Sequence, residues 1–137
     1  ISGQGNGLSV SRQLYKGDEA LNESAPLKVG DKITVRLTVK ADRDMDFVQI
    51  KDDRAACMEP LQAVSGFRWS NGLGYYQATK DASTQFFIDQ MRKGTYVIEY
   101  QVYVNRTGEY QAGIATVQSA YAPEFGGHTG GYRVMVE

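Results

Sequence analysis

The chain has 137 residues, 15 Lys+Arg against 16 Asp+Glu for a net charge of −1, and 42% hydrophobic residues. That composition suits one globular domain able to bury roughly 70% of its unfolded surface, and it offers neither the low hydrophobicity of a disordered segment nor the basic excess of a nucleic-acid binder. One cysteine, Cys57, and one histidine, His128, exclude an internal disulfide framework and thiolate-rich or multi-histidine metal sites, and no apolar run reaches the roughly 18 residues of a membrane span.

Residues 1–7, with Gly3, Gly5 and Gly7, read as a flexible linker, and residues 8–137 as a single domain. With no initiator Met, signal sequence or lipidation box at the front, the expectation is a processed product or a domain of something longer. Leu8, Val10 and Leu14 mark a first strand, and Ile33, Val35, Leu37 and Val39 alternate with polar residues in a second. Asp42, Asp44 and Asp46 then space their carboxylates like the start of a calcium loop. Phe47 and Asp53 stand where an EF-hand needs Gly and Glu, so the expectation is a solvated hairpin turn. Val48 and Ile50 follow as a strand, and Pro60 limits residues 52–58 to one helical turn at most.

The stretch from Asp81 to Lys93 has helix-compatible ends, but Thr84, Phe86, Phe87 and Ile88 favour a strand. Tyr96, Ile98, Tyr100, Val102 and Val104 give the longest alternation. Tyr110, Ala112 and Ile114 form another strand, and Tyr132, Val134 and Val136 the last. Turns are expected around Gly17, Gly30, Gly72 and Gly108, and a mobile loop over Gly126 to Gly131. Short strands at this spacing predict an all-β, antiparallel β-sandwich of the immunoglobulin-like or macroglobulin-like kind, with about seven to nine strands.

Candidate chemistry is sparse. Cys57-Met58-Glu59-Pro60 resembles a Cys-x-Glu-Gln thioester motif, yet Pro60 has no side-chain acyl group to bond the sulfur, so no thioester can form in that way. A buried structural thiol is expected instead. His128 has no nucleophile elbow to serve, and the 16 acidic residues single out no catalytic pair. Asn22-Glu23-Ser24 and Asn105-Arg106-Thr107 are glycosylation-type triplets. Tyr96, Tyr100, Tyr110 and Tyr132 fall on core-facing positions. Trp69, Tyr75 and Tyr76 are then the exposed aromatics that a carbohydrate-binding or adhesin-like module would use.

In order along the second half lie Gly94-Thr95-Tyr96, Gly108-Glu109-Tyr110, Ala115-Thr116-Val117-Gln118 and Tyr121-Ala122-Pro123-Glu124. Together they resemble the C-terminal macroglobulin-like domain of bacterial alpha-2-macroglobulins. Ala120 stands where that pattern commonly has Met. The stretch Asp52 to Pro60 with Gly74-Tyr75-Tyr76 is similar to Bacteroidetes members of the family. The resemblance implies a non-catalytic structural and interaction domain of a protease trap, with no cofactor or metal of its own. Its partners would be other domains of the same polypeptide and, through the full-length protein, target proteases. The location would be the periplasm or cell envelope, with membrane contact only through a lipid anchor of the parent. Within this chain Tyr121, Pro123, Glu124 and Phe125 are the candidate domain-contact residues, expected either to close the bottom of this domain's own sandwich or to anchor a neighbouring domain, and not to serve catalysis. Pro123 cannot join a central ladder, while Tyr121 and Phe125 can each bury a large apolar area.

Overall fold

A computed structural model describes residues 4–5, 7–17, 19–21, 26–60, 66–70, 73–79, 83–120 and 126–137, those at 4–5, 66–70 and 73 by backbone alone. Two antiparallel sheets face each other. The smaller is built from β2 (Leu8–Lys16), β3 (Glu19–Ala20), β4 (Lys32–Ala41), β6 (Met58–Pro60) and β10 (Gly94–Val104), in the order β3-β2-β4-β10-β6. The larger contains β1 (Gln4–Gly5), β5 (Met45–Asp53), β7 (Gly66–Ser70), β8 (Leu73–Thr79), β9 (Ser83–Met91), β12 (Ala115–Ser119) and β13 (Gly126–His128). Its order is β1-β13-β12-β5-β9-β8-β7, and a ribbon of β11 (Gly108–Ala112) with β14 (Tyr132–Val136) completes the fold.

The alternation read from sequence is the alternation of burial. In β4, Ile33, Val35, Leu37 and Val39 are buried between partly or fully exposed neighbours, and β10 repeats this with Ile98, Tyr100, Val102 and Val104. Register aligns the two sets, with Ile98 opposite Leu37 and Val102 opposite Ile33. Val48 and Ile50 of β5, Phe86 and Ile88 of β9 and Val117 of β12 join them in one core cluster. β-branched side chains suit such a pleated surface because their restricted rotamers pack across the strands. Residues 83–91 form a strand, as their β-branched and aromatic content predicts.

The all-β antiparallel sandwich is as expected, with fourteen strand segments among the described residues: to the seven read from sequence are added four of two or three residues, β1, β3, β6 and β13, and the longer β7, β8 and β12. Several expectations change. The expected linker over 1–7 is strand at Gln4 and Gly5, which pair with His128 and Gly127. The same pairing turns the expected loop at Gly126 into β13, which also lies beside β12. Asp42 to Asp44 form no hairpin: they carry the chain from β4 in one sheet to β5 in the other. Tyr110, Ala112 and Ile114 do not share one strand. The chain breaks after Ala112 and Ile114 is exposed, and Gly113 between them passes so close to β5 that a Cβ there would lie 2.7 Å from the Asp53 Cβ.

Candidate functional site

Two strands place a charge on the inward face. In β2 the buried positions Leu8, Val10 and Leu14 continue the parity of Arg12, whose side chain is 3% exposed. In β5 Val48 and Ile50 lead to Asp52, 2% exposed. A lone buried charge is unfavourable by several kcal/mol, so each must find its opposite, and they meet across the sandwich. Arg12 Nη1 donates to Asp52 Oδ1 and the Tyr100 hydroxyl of β10 donates to Asp52 Oδ2. The second terminal guanidinium nitrogen, Nη2, donates to the carbonyls of Gly113 at 2.7 Å and Gly130 at 3.0 Å. The Tyr132 ring lies under the guanidinium, 4.6 Å from its carbon. Beside this cluster Arg54 donates to the Thr84 hydroxyl at 2.7 Å, and both residues are buried.

Burial sets the acid–base character of these groups. Desolvation raises the Asp52 carboxyl above its ordinary range, with Arg12 and the Tyr100 hydroxyl pulling the other way. Desolvation and the Asp52 charge push the Tyr100 and Tyr132 phenols well above theirs. Two shallow surface grooves, of about 460 and 330 Å³, lie elsewhere, the first beside Lys40, Asp42 and Lys93 and the second beside Ile114, Gln118 and His128. Neither is lined by Arg12, Asp52 or Tyr100. The cluster therefore ties two sheets and two loops together and offers its carboxylate to no groove described.

The connections served by Arg12 share further bonds. Thr129 donates its backbone N–H to the Ala115 carbonyl at 2.9 Å, and its hydroxyl accepts the Ala115 N–H at 3.0 Å. A Cβ on Gly131 would come within 2.8 Å of the Ala112 carbonyl oxygen, so only glycine allows this approach. At the far end of β12 the Ala120 N–H donates to the Phe47 carbonyl at 2.8 Å. Phe47 has a φ of 55°, a strained value for a bulky side chain, and its ring is exposed.

The residues expected from sequence separate into three groups. Tyr121, Pro123, Glu124 and Phe125 lie outside the described residues, as do Asn22 to Ser24, Asn71 and Gly72, and the side chain of Trp69. Tyr76 is exposed, but Tyr75 is a correction: it is 5% exposed and packs edge-on against Phe86, ring centroids 5.7 Å apart. Successive strand residues point to opposite faces, so only one of the two tyrosines could have stayed outside. Cys57 is a free, fully buried thiol whose desolvation raises its pKa, as expected of a structural cysteine. The three aspartates of the calcium-like stretch diverge: Asp42 pairs with Arg43, Asp44 accepts the Lys93 N–H at 2.8 Å, and Asp46 is exposed. Among the described residues no three His, Cys, Asp or Glu side chains gather as a metal site. Asn105 donates its side-chain amide to Glu59 at 3.2 Å.

Sequence reasoning missed Arg12 and Asp52. The signal was present in their parity with apolar neighbours on each strand, since Val10 and Leu14 flank Arg12 two residues away, and Ile50 stands two before Asp52.

Comparison with known proteins adds the family. The model of the bacterial alpha-2-macroglobulin MG10 domain matches residues 7–124. Over 138 residues the chain is 29% identical to Circularly permutated Ras protein 2 of Dictyostelium discoideum, covering 96% of this chain and 4% of that protein. Over 155 residues it is 26% identical to the alpha-2-macroglobulin homolog of Nostoc, covering 98% of this chain and 8% of that protein. The crystal structure of Salmonella alpha-2-macroglobulin reacted with methylamine superposes with a TM-score of 0.81 at 20% identity, covering 98% of this chain and 9% of the other. The chain thus spans less than a tenth of each of these relatives.

Proposed function

The chain belongs to the bacterial alpha-2-macroglobulin MG10 domain family, and from that premise we propose that it is a non-catalytic structural and interaction domain of a larger protease-trapping polypeptide of the cell envelope. The observation that carries this reading is the family match over residues 7–124. The closed polar interior supports it further, since the buried carboxylate, guanidinium and phenol are spent on one another. The domain's partners are other domains of its own parent, and proteases meet it only through the whole polypeptide. Any membrane contact comes from a lipid anchor on that parent.

Within this reading Tyr121, Pro123, Glu124 and Phe125 form the contact with a neighbouring domain. Their sequence position between β12 and β13 supports that role, because Ala120 is bonded to β5 and Gly126 is paired with Gln118. Tyr121→Ala tests it. We expect an unchanged melting temperature with weakened association to the remainder of the parent polypeptide. A large fall in melting temperature would instead make Tyr121 part of this domain's own packing. For the trap itself, the parent without residues 8–137 should lose protease capture, and inhibition of a protease by the isolated domain would contradict the proposal.

A further inference from the structure

The alternation of β5 slips at Phe47. Successive strand residues point to opposite faces, yet Met45 and Val48 are both buried while Asp46 and Phe47 between them are both exposed. On the paired strand β9, Ile88 and Met91 are likewise buried around exposed Asp89 and Gln90. The left-handed backbone of Phe47, φ 55°, lies at this change of face. The end of β12 holds it there. The Ala120 N–H donates to the Phe47 carbonyl at 2.8 Å, and the Ser119 hydroxyl to the Asp46 carbonyl at 3.4 Å. Glycine adopts such a conformation without steric cost, whereas a bulky side chain is strained in it. The fold therefore calls for this backbone at position 47 but not for the ring, and strain of this kind clusters at functional positions.

The ring is 44% exposed. Asp46 precedes it in β5, and Asp89 takes the facing position of β9, between the pairs Asp46–Gln90 and Val48–Ile88. Both aspartates are exposed, and among the described residues neither carboxylate enters an ion pair or a side-chain hydrogen bond. Phe87 of β9 and Tyr76 opposite it on β8 are exposed on the same sheet. An aromatic ring bordered by uncompensated carboxylates has a complement of definite chemistry: an apolar recess for the ring, with cations at its rim.

We propose that Phe47 is an interdomain anchor, its ring inserting into an apolar recess bordered by Lys or Arg on another domain of the same polypeptide. That choice of partner rests on the reading given above, since the chain spans less than a tenth of each relative.

Hydroxyl-radical footprinting of the 137-residue chain and of the full parent polypeptide tests this. Oxidation of Phe47 should be about tenfold lower in the parent, where the contact excludes water. Equal oxidation in the two would overturn the proposal. Asp46→Lys with Asp89→Lys in the parent sets like charges against each other and should return Phe47 oxidation to the level of the free chain. Unchanged shielding would overturn the cationic rim. In the 137-residue chain Phe47→Gly relieves the backbone, so the melting temperature should stay within about 3 °C of the wild type or rise. A larger fall would make the ring part of this domain's own packing and overturn the anchor. Failure of the underlying reading looks different. If the parent without residues 8–137 loses protease capture while Phe47 is equally oxidised in both proteins, the domain reading stands and the anchor falls. If the truncated parent still captures protease while Phe47 is shielded, the anchor stands and the trap reading falls.

Discussion

An arginine, a carboxylate and a tyrosine ring meet twice in the fold, once on the solvent face of the small sheet and once in the interior behind it. On the solvent side Arg36 of β4 pairs with Glu99 of β10 at 2.6 Å and lies over the Tyr15 ring at 4.5 Å. On the inner side Arg12 pairs with Asp52 and lies over the Tyr132 ring at 4.6 Å. The side chains of the first pair are each 43% exposed and those of the second 3% and 2%. Water screens the outer pair and hydrates either partner when the other is removed, so its contribution is small. The inner pair has no such alternative. Its members are needed chiefly because each would be stranded without the other. Similar ion pairs thus differ in consequence chiefly through burial.

The largest effect should come from stranding the guanidinium. Asp52→Ala leaves Arg12 buried and charged, because arginine cannot deprotonate in a protein, and should destabilise the domain by roughly 3–5 kcal/mol in urea unfolding. The double variant Arg12→Leu with Asp52→Leu removes both charges and should recover most of that loss. Failure of the double variant to recover would show that the pair contributes more than mutual neutralisation.

Truncation in the apolar core should come next. Ile98 is fully buried opposite Leu37, and Ile98→Ala should destabilise by about 2–4 kcal/mol, from lost burial and the cavity left behind. A loss under about 0.5 kcal/mol would mean the core closes over the missing groups.

A smaller, pH-dependent difference follows from Asp52. Burial raises its carboxyl pKa in the folded state, so folding retains a proton that the unfolded chain releases. Its contribution to stability is complete below the ordinary carboxylate pKa and is lost as pH rises through the folded value. The double variant lacks this group. Its urea midpoint relative to wild type should therefore improve as pH rises from about 4 to 7. The opposite trend would mean that Arg12 outweighs burial at Asp52.

The same contrast explains what was legible in the sequence. Ile33 to Val39 and Tyr96 to Val104 announce their strands because burial follows side-chain chemistry along them. The family pattern, too, lies in open view in the glycine–tyrosine strand starts. Arg12 and Asp52 break that correspondence: each sits at an inward position, but only a partner on a distant strand makes it tolerable. That partner is 40 residues away along the chain, and the carbonyls of Gly113 and Gly130 are 101 and 118 away. Tyr75 and Tyr76 fail for a simpler reason, since adjacent identical residues cannot reveal which one points inward. Short strands such as β1 and β13 are dictated by their neighbours rather than by their own glycine-rich sequence.

The smallest effect belongs to the outer pair. Glu99→Gln keeps the side chain's length and removes its charge, leaving Arg36 beside the Tyr15 ring and within 3.3 Å of its hydroxyl. With Arg36 open to solvent, no charge is stranded. At physiological ionic strength, where screening acts over about 8 Å, the urea midpoint should not shift measurably, and a slight loss should emerge only at low salt. The register supports this expectation independently of the ion pair. Glu99 and Arg36 stand opposite each other because Ile98 and Leu37, and Tyr100 and Val35, are aligned on the buried face. The apolar face thus sets the register that brings the two charges together, and the pair follows from the fold. If Glu99→Gln instead lowered the midpoint as far as Asp52→Ala does, exposure would not be what separates the two pairs, and the surface charges would have to take part in holding β4 to β10.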